Sequence, residues 1–192
     1  SFQTRFQRRW ETHPVATSAA VGFGAWALAV LLYFSWVLML PENRYRWLDF
    51  VVQCRDPFCR TLNETILYYR IAVPAFAYLL RIPPHAAFAI QYIALVWTLA
   101  LAFWLVAKKT APATGLWFAL GLALTYMVAC VNARPGLPDS VTHLAAAFCM
   151  APIAPGAYVP LVFIGALNDE RMLLALPFVL FWKFPDLLEN KT

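Results

Sequence analysis

Three polar clusters interrupt an otherwise apolar chain, and they hold the residue types that could do chemistry. The first lies in segment 44–70, the second in segment 134–139, and the third is the tetrad 168–171. Each combines arginine with carboxylate or amide side chains. Such a group can bind an anionic headgroup through its arginines, or use a carboxylate as a base. Charges kept in or near a bilayer are costly and usually have a purpose.

The same residues also have a purely structural interpretation. Asp139 or Ser140 can cap a helix that begins at residue 141, and Asn168 or Asp169 can cap the one that follows. Arg171 can form an ion pair with Asp139 or with the acidic residue just before it. The sequence leaves ligand binding and helix capping both open.

Two cysteines frame a short turn. Cys54 and Cys59 flank the residues RDPF at 55–58, a spacing that allows a disulfide in an oxidising compartment or two separate thiols. No histidine lies close to them in the sequence, so a zinc site is not expected.

One histidine lies within an apolar segment. His143 is one turn inside the stretch 141–153 and could ligate the metal of a haem or a bacteriochlorophyll-type pigment. A hydrogen bond to a neighbouring helix is the alternative. We therefore expect no cofactor, with a pigment such as bacteriochlorophyll or a carotenoid as the alternative.

The composition indicates that lipid surrounds these clusters. Of 192 residues, 62% are hydrophobic and only 13% are charged, against about 25% charged in soluble domains. Seven apolar stretches fill most of the chain, and only helices satisfy backbone polar groups in lipid without closing a barrel. The sequence predicts an all-α integral membrane protein. The net charge of +5 is spread over loops and termini, so no nucleic-acid partner is expected.

The apolar stretches predict a single transmembrane domain, 1–192, with about five or six transmembrane or half-depth helices. Segment 17–40 is long enough to span the bilayer, and 41–65 is predicted as an extracytoplasmic loop. Segment 66–81 carries Arg70 and Pro74 and is predicted to be an interfacial helix. The other predicted helices are 86–107, 113–131, 141–153, 157–167 and 172–184.

Charge gives only a slight preference for one orientation. Under this topology the two sides carry nearly equal numbers of basic residues, but all four lysines fall on the side of the N-terminus. That distribution favours a cytoplasmic N-terminus. We expect a multi-pass protein of a bacterial inner membrane.

Three motifs in order resemble bacterial membrane proteins related to the GT-C glycosyltransferases. They are YRIAVP at 69–74, PGLPDS at 135–140, and LNDER at 167–171 followed by Leu176-Pro177. The resemblance implies a GT-C-like helical module whose extracytoplasmic face handles sugars linked to polyprenyl phosphate. Enzymes of that family usually carry an acidic catalytic residue in the first outer loop. Here that loop offers Glu42, Asp49 and Asp56, each isolated and close to an arginine.

These observations favour a non-catalytic accessory or scaffold subunit of a larger membrane complex. Its partners would be membrane lipids and other integral membrane subunits. The alternative is a GT-C-type glycosyltransferase, or a protein that binds lipid-phosphate sugars. In that case the catalytic candidates are Asp49, Asp56 and Glu170, and the residues that bind the lipid phosphate are Arg70, Arg134, Arg171 and Asp139.

Overall fold

Helices are the only regular secondary structure in the described part of the chain. The computed structural model describes residues 2–37, 43–59, 62, 71–125 and 139–189, and no strand occurs among them. The predicted all-α fold is therefore confirmed for these residues.

The described residues form the following helices in chain order. They are α1 (Phe2–Thr12), α2 (Pro14–Val37), α3 (Asn43–Arg55), α4 (Ala72–Leu79), α5 (Pro84–Lys109), α6 (Pro112–Ala123), α7 (Asp139–Met150), a 3-10 turn (Pro155–Ala157), α8 (Tyr158–Asn168) and α9 (Arg171–Glu189). Proline begins α5 and α6, where its missing N–H costs nothing because the first amides of a helix have no partner.

Two of the described helices are long and apolar enough to cross a membrane. They are the Pro14–Leu32 part of α2, with mean hydropathy 1.9, and α5, with mean hydropathy 2.0. α6 has 12 residues, so it is about 18 Å long and shorter than the bilayer core of about 30 Å.

α5 lies at the centre of the bundle, and α2 crosses it at very close range. A Cβ atom at Gly22 would lie 2.5 Å from the carbonyl oxygen of Val96 and 2.7 Å from the Cβ of Ala100. Only glycine fits there. Further along, Ala25 pairs with Leu95 in one buried cluster, so α2 runs antiparallel to α5.

α6 and α8 make similar close contacts on other sides of the bundle. A Cβ atom at Gly115 of α6 would lie 2.8 Å from the carbonyl oxygen of Phe103 in α5. One at Gly165 of α8 would lie 2.8 Å from the Cγ of Met172 in α9. Backbone packing of this kind is typical of membrane helices, where small residues let neighbouring helices approach.

Side-chain contacts define two ends of the bundle. Ser140 at the start of α7 contacts Gln91 near the start of α5, so these two helices run parallel. At the opposite end, the Phe6 and Trp10 rings of α1 lie 6.1 and 5.2 Å from the ring of Phe103. We name this second end the basic end, because its described residues include Arg5, Arg8, Arg9, Lys108, Lys109 and Lys183.

The N-terminal third differs from the prediction. α1 was not predicted, and the predicted loop 41–65 contains the 13-residue helix α3. α3 forms because Phe50 and Cys54 pack with Val73 and Ala77 of α4 in a buried cluster. The prediction failed because tertiary burial offset a local sequence rich in arginine and acid.

The remaining boundaries shift by a few residues. Of predicted segment 66–81, residues 66–70 lie outside the described part, and the helix observed is α4. The helix predicted at 113–131 ends at Ala123 within the described residues, and 126–131 lie outside them. The helix predicted at 172–184 is α9, which extends to Glu189.

Candidate functional site

An ion-pair cluster joins the starts of α7 and α9 at the end of the bundle opposite the basic end. The Nε of Arg171 donates to both carboxylate oxygens of Asp169, at 2.9 and 2.8 Å. Its Nη2 donates to the Oδ2 of Asp139 at 2.9 Å and also contacts the Oδ2 of Asp169. One guanidinium therefore bridges two carboxylates from different helices.

Local backbone geometry sets this arrangement. Asp169 lies between α8 and α9, and its Oδ1 accepts a hydrogen bond from the backbone N–H of Arg171 at 2.9 Å. Asp169 therefore caps α9 while it pairs with the Arg171 side chain. The hydrogen bond to Asp169 is the main reason that the pKa of Arg171 lies above its ordinary value, so this residue stays positively charged.

The three residues of the ion-pair cluster differ in their exposure to solvent. Asp169 is 1% exposed, whereas the side chain of Arg171 is 52% exposed and that of Asp139 is 15% exposed. The cluster is thus a buried carboxylate covered by a half-exposed cation. Hydrogen bonds from Arg171 occupy both oxygens of this carboxylate, which favours a structural role over that of a general base.

Buried hydrogen bonds beneath the cluster link three helices. The hydroxyl of Ser140 donates to the carbonyl oxygen of Gln91 at 2.6 Å and ties α7 to α5. The hydroxyl of Thr142 donates to the carbonyl oxygen of Gly165 at 3.2 Å, and the Nδ2 of Asn168 donates to the Thr142 hydroxyl at 2.9 Å. These bonds tie α7 to α8, so the polar residues of LNDER and PGLPDS meet within the protein.

This geometry favours the structural interpretation of the cluster. Asp169 caps α9, one of the two caps that the sequence allowed, and Arg171 pairs with Asp139, one of the two partners that the sequence left open. Glu170 is exposed. The role of Asp169 as the main partner of Arg171 was not predicted, although an aspartate two residues before an arginine at a helix start is a signal for it. Arg70 and Arg134 lie outside the described residues.

The other two catalytic candidates lie on or just after α3. Asp49 is 2% exposed and lies inside the protein. Asp56 is exposed, and its Oδ1 accepts the backbone N–H of Phe58 at 3.2 Å, while its carbonyl oxygen accepts the N–H of Cys59 at 3.1 Å. The described contacts of Asp56 are those of a residue that stabilises the turn after α3.

The cysteines that flank this turn are thiols and do not form a disulfide. Cys54 is buried on α3, and burial raises the pKa of its thiol to about 11. A thiol with so high a pKa is largely protonated at neutral pH and reacts slowly.

His143 faces an apolar cavity of about 240 Å³ between α5, α6, α7 and α9, lined by Leu99, Met150 and Trp182 among others. It makes no hydrogen bond with any residue that the structure describes, so the predicted bond to a neighbouring helix is not observed there. The cavity is smaller than the roughly 300–1,000 Å³ typical of pockets for drug-sized ligands. Within the described ranges, no group of three metal-ligating side chains occurs.

Comparison of the chain with protein-family models, with curated proteins and with solved structures found no match. The functional argument therefore rests on the residues and their geometry.

Proposed function

We propose that this protein is a multi-pass membrane protein that serves as a non-catalytic accessory or scaffold subunit of a larger complex in a bacterial inner membrane. α2 and α5 cross the bilayer, and the shorter helices α6, α7 and α8 pack beside them at partial depth. The outer face of α9 docks a neighbouring subunit.

The outer face of α9 is the observation that carries the proposal. Leu174, Phe178 and Phe181 recur at helical spacing and are 72%, 71% and 83% exposed. We name these three residues the α9 stripe. Soluble monomers rarely expose large contiguous apolar patches, whereas membrane proteins present such faces to lipid or to other subunits.

The distribution of charge supports a cytoplasmic N-terminus. The three arginines of α1 and the lysines that end α5 share the basic end, whereas Asp139 and Asp169 lie at the opposite end. Cytoplasmic flanks of membrane helices are enriched in lysine and arginine.

The polar cluster supports a structural rather than a catalytic role. Arg171 and the cap of α9 engage Asp169, and Arg171 also engages Asp139. These interactions occupy the carboxylate oxygens that a general base would use to accept a proton. The hydrogen bonds of Ser140 and Thr142 go to backbone carbonyls of neighbouring helices, which is a packing function.

The test is extraction from native membranes in a mild detergent, followed by a native gel and mass spectrometry of the band. We expect a discrete high-mass complex with fixed stoichiometry. The triple variant Leu174→Ala/Phe178→Ala/Phe181→Ala should shift the protein to a small particle. A matched triple variant of exposed α2 residues, Phe23→Ala/Leu31→Ala/Leu32→Ala, should leave the complex intact.

Two results would count against the proposal. Migration of the wild-type protein as a lone small particle would remove the subunit role. Sugar transfer from a polyprenyl-phosphate donor that is lost in Asp49→Asn, Asp56→Asn or Glu170→Gln, with expression unchanged, would establish the enzyme in its place.

A further inference from the structure

A groove of about 380 Å³ lies where α1, α2 and α6 meet at the basic end. Its walls are mostly apolar and include Phe6 of α1, Ala20 and Gly24 of α2, and Leu120 of α6. Arg9 of α1 lines it too, so a cation lies beside an apolar channel.

The groove exists because α2 presents small residues on this side. Nothing lies within 4 Å of the position that a Cβ atom would occupy at Gly24. Gly22, two residues earlier, is pressed against α5, with the Val96 carbonyl oxygen 2.5 Å from its Cβ position. The two glycines therefore face different surroundings: Gly22 allows helix packing, and Gly24 leaves space open.

The position of Arg9 relative to the groove is defined by the link between α1 and α2. The hydroxyl of Thr17 in α2 donates to the carbonyl oxygen of Arg9 at 3.3 Å. Among the described residues Arg9 forms no ion pair, and its exposed neighbours Arg5 and Arg8 add positive charge at the same end. Of these three arginines only Arg9 lines the groove, so an anion bound there would meet the Arg9 guanidinium.

The dimensions of the groove match a lipid chain. From Ala16 to Gly24, α2 rises about 12 Å at 1.5 Å per residue. One leaflet of the hydrocarbon core is about 15 Å deep, half of the total of about 30 Å. A chain that enters at the level of Arg9 therefore has an apolar wall through most of one leaflet.

We propose that this groove binds one anionic glycerophospholipid, with an acyl chain along Ala20 and Gly24 and the phosphate on the guanidinium of Arg9. Arginine binds phosphate through paired hydrogen bonds, and a positive surface attracts the anionic lipids of the cytoplasmic leaflet. This proposal rests on the part of the proposed function that puts α2 in the bilayer.

The experiment uses the full chain, purified in a mild detergent, stripped of lipid and titrated with phosphatidylglycerol or phosphatidylcholine under native mass spectrometry. We expect the wild-type protein to retain one phosphatidylglycerol in preference to phosphatidylcholine. Arg9→Gln should lower the affinity for phosphatidylglycerol roughly tenfold, the effect of losing one charge-assisted hydrogen bond to the phosphate. Gly24→Leu should abolish retention of either lipid, because its side chain fills the groove.

Matched controls separate the groove from general effects on charge and helices. Arg8→Gln removes an exposed arginine of α1 that does not line the groove, and Gly121→Leu adds the same side chain at another open glycine. Both should retain phosphatidylglycerol like the wild-type protein. Circular dichroism checks folding, and Ala20→Phe replaces Gly24→Leu as the blocking variant if the latter unfolds.

Equal retention of the two lipids by the wild-type protein would overturn the proposal. So would unchanged retention in both Arg9→Gln and a folded blocking variant. A high-mass complex without lipid preference would leave the subunit role intact and remove only the lipid site. Release of the protein from membranes by alkaline carbonate without detergent would overturn the membrane location on which both proposals depend.

Discussion

Replacing Arg171 by methionine should destabilise the protein by leaving the Asp169 carboxylate without its cation. Asp169 is 1% exposed and would keep the backbone N–H of residue 171 as its described donor. Breaking a buried ion pair by removing one partner costs about 3–5 kcal/mol. Because Arg171 is 52% exposed, water screens part of this interaction, and we expect a loss of about 2–3 kcal/mol.

Thermal unfolding in detergent, followed by circular dichroism, measures the effect. A loss of this size corresponds to a fall in Tm of about 4–12 °C for a chain of this length. Arg8→Met, which removes an exposed arginine of α1, is the control and should change Tm by less than about 2 °C.

A double-mutant cycle tests the reasoning directly. Asp169→Asn keeps an oxygen that can cap α9 but removes the buried charge. If the loss in Arg171→Met comes from removing the Arg171 cation beside the buried Asp169 charge, the double variant Arg171→Met/Asp169→Asn should be more stable than Arg171→Met alone. A double variant no more stable than Arg171→Met, or an Arg171→Met protein that melts with the wild type, would refute the argument.

Three further predictions follow from individual residues. Gly22→Ala should destabilise the protein by about 1–3 kcal/mol, because its methyl group would meet the Val96 carbonyl, whereas Gly24→Ala should stabilise it by up to about 1 kcal/mol. Thermal melting of both variants compares the two changes, and a change in stability of the same sign in both would contradict the packing described. Arg81, two residues after the end of α4, has a φ of 54°, a left-handed conformation that favours glycine. Arg81→Gly should therefore raise the free energy of unfolding by about 0.5–1 kcal/mol, and a fall in Tm would be the contrary result. Burial raises the pKa of Cys54 to about 11, so little of its thiol is ionised at pH 8. Alkylation of Cys54 at pH 8, measured by mass spectrometry, should be at least about tenfold slower in the native protein than in the denatured chain, and it should accelerate as the pH rises towards 11. Equal rates at pH 8 would refute the burial argument.

The sequence predicted long apolar helices well and short polar ones poorly. The helix predicted at 86–107 is α5, which extends it by two residues at each end, because continuous hydropathy and a flanking proline define it without tertiary information. α3 was missed because its local sequence is rich in charged residues and does not indicate that Phe50 and Cys54 are buried against α4. Only the fold brings α4 to that surface.

The candidate site was predictable only in part, for a related reason. The pairing of Arg171 with Asp139 could be proposed as one of two alternatives from charge alone. The position of Asp169 depends on the turn between α8 and α9, which places its carboxylate over the first amide of α9. The contact of Ser140 with the carbonyl of Gln91 requires α7 to run parallel to α5, and no local pattern indicates that direction.

The hydrogen bond from the backbone N–H of Ile71 to the carbonyl oxygen of Leu167, at 3.1 Å, has a consequence for biosynthesis. It joins the start of α4 to the end of α8, while Arg171 joins α9 to Asp139. Because synthesis runs from the N-terminus, Ile71 leaves the ribosome long before Leu167 has been made, and Asp139 is made before Arg171. The Ile71–Leu167 hydrogen bond and the Asp139–Arg171 ion pair therefore form only after residues 167 and 171 have been made. We therefore expect this end of the helical bundle to be completed late in synthesis, after residue 171 has been made.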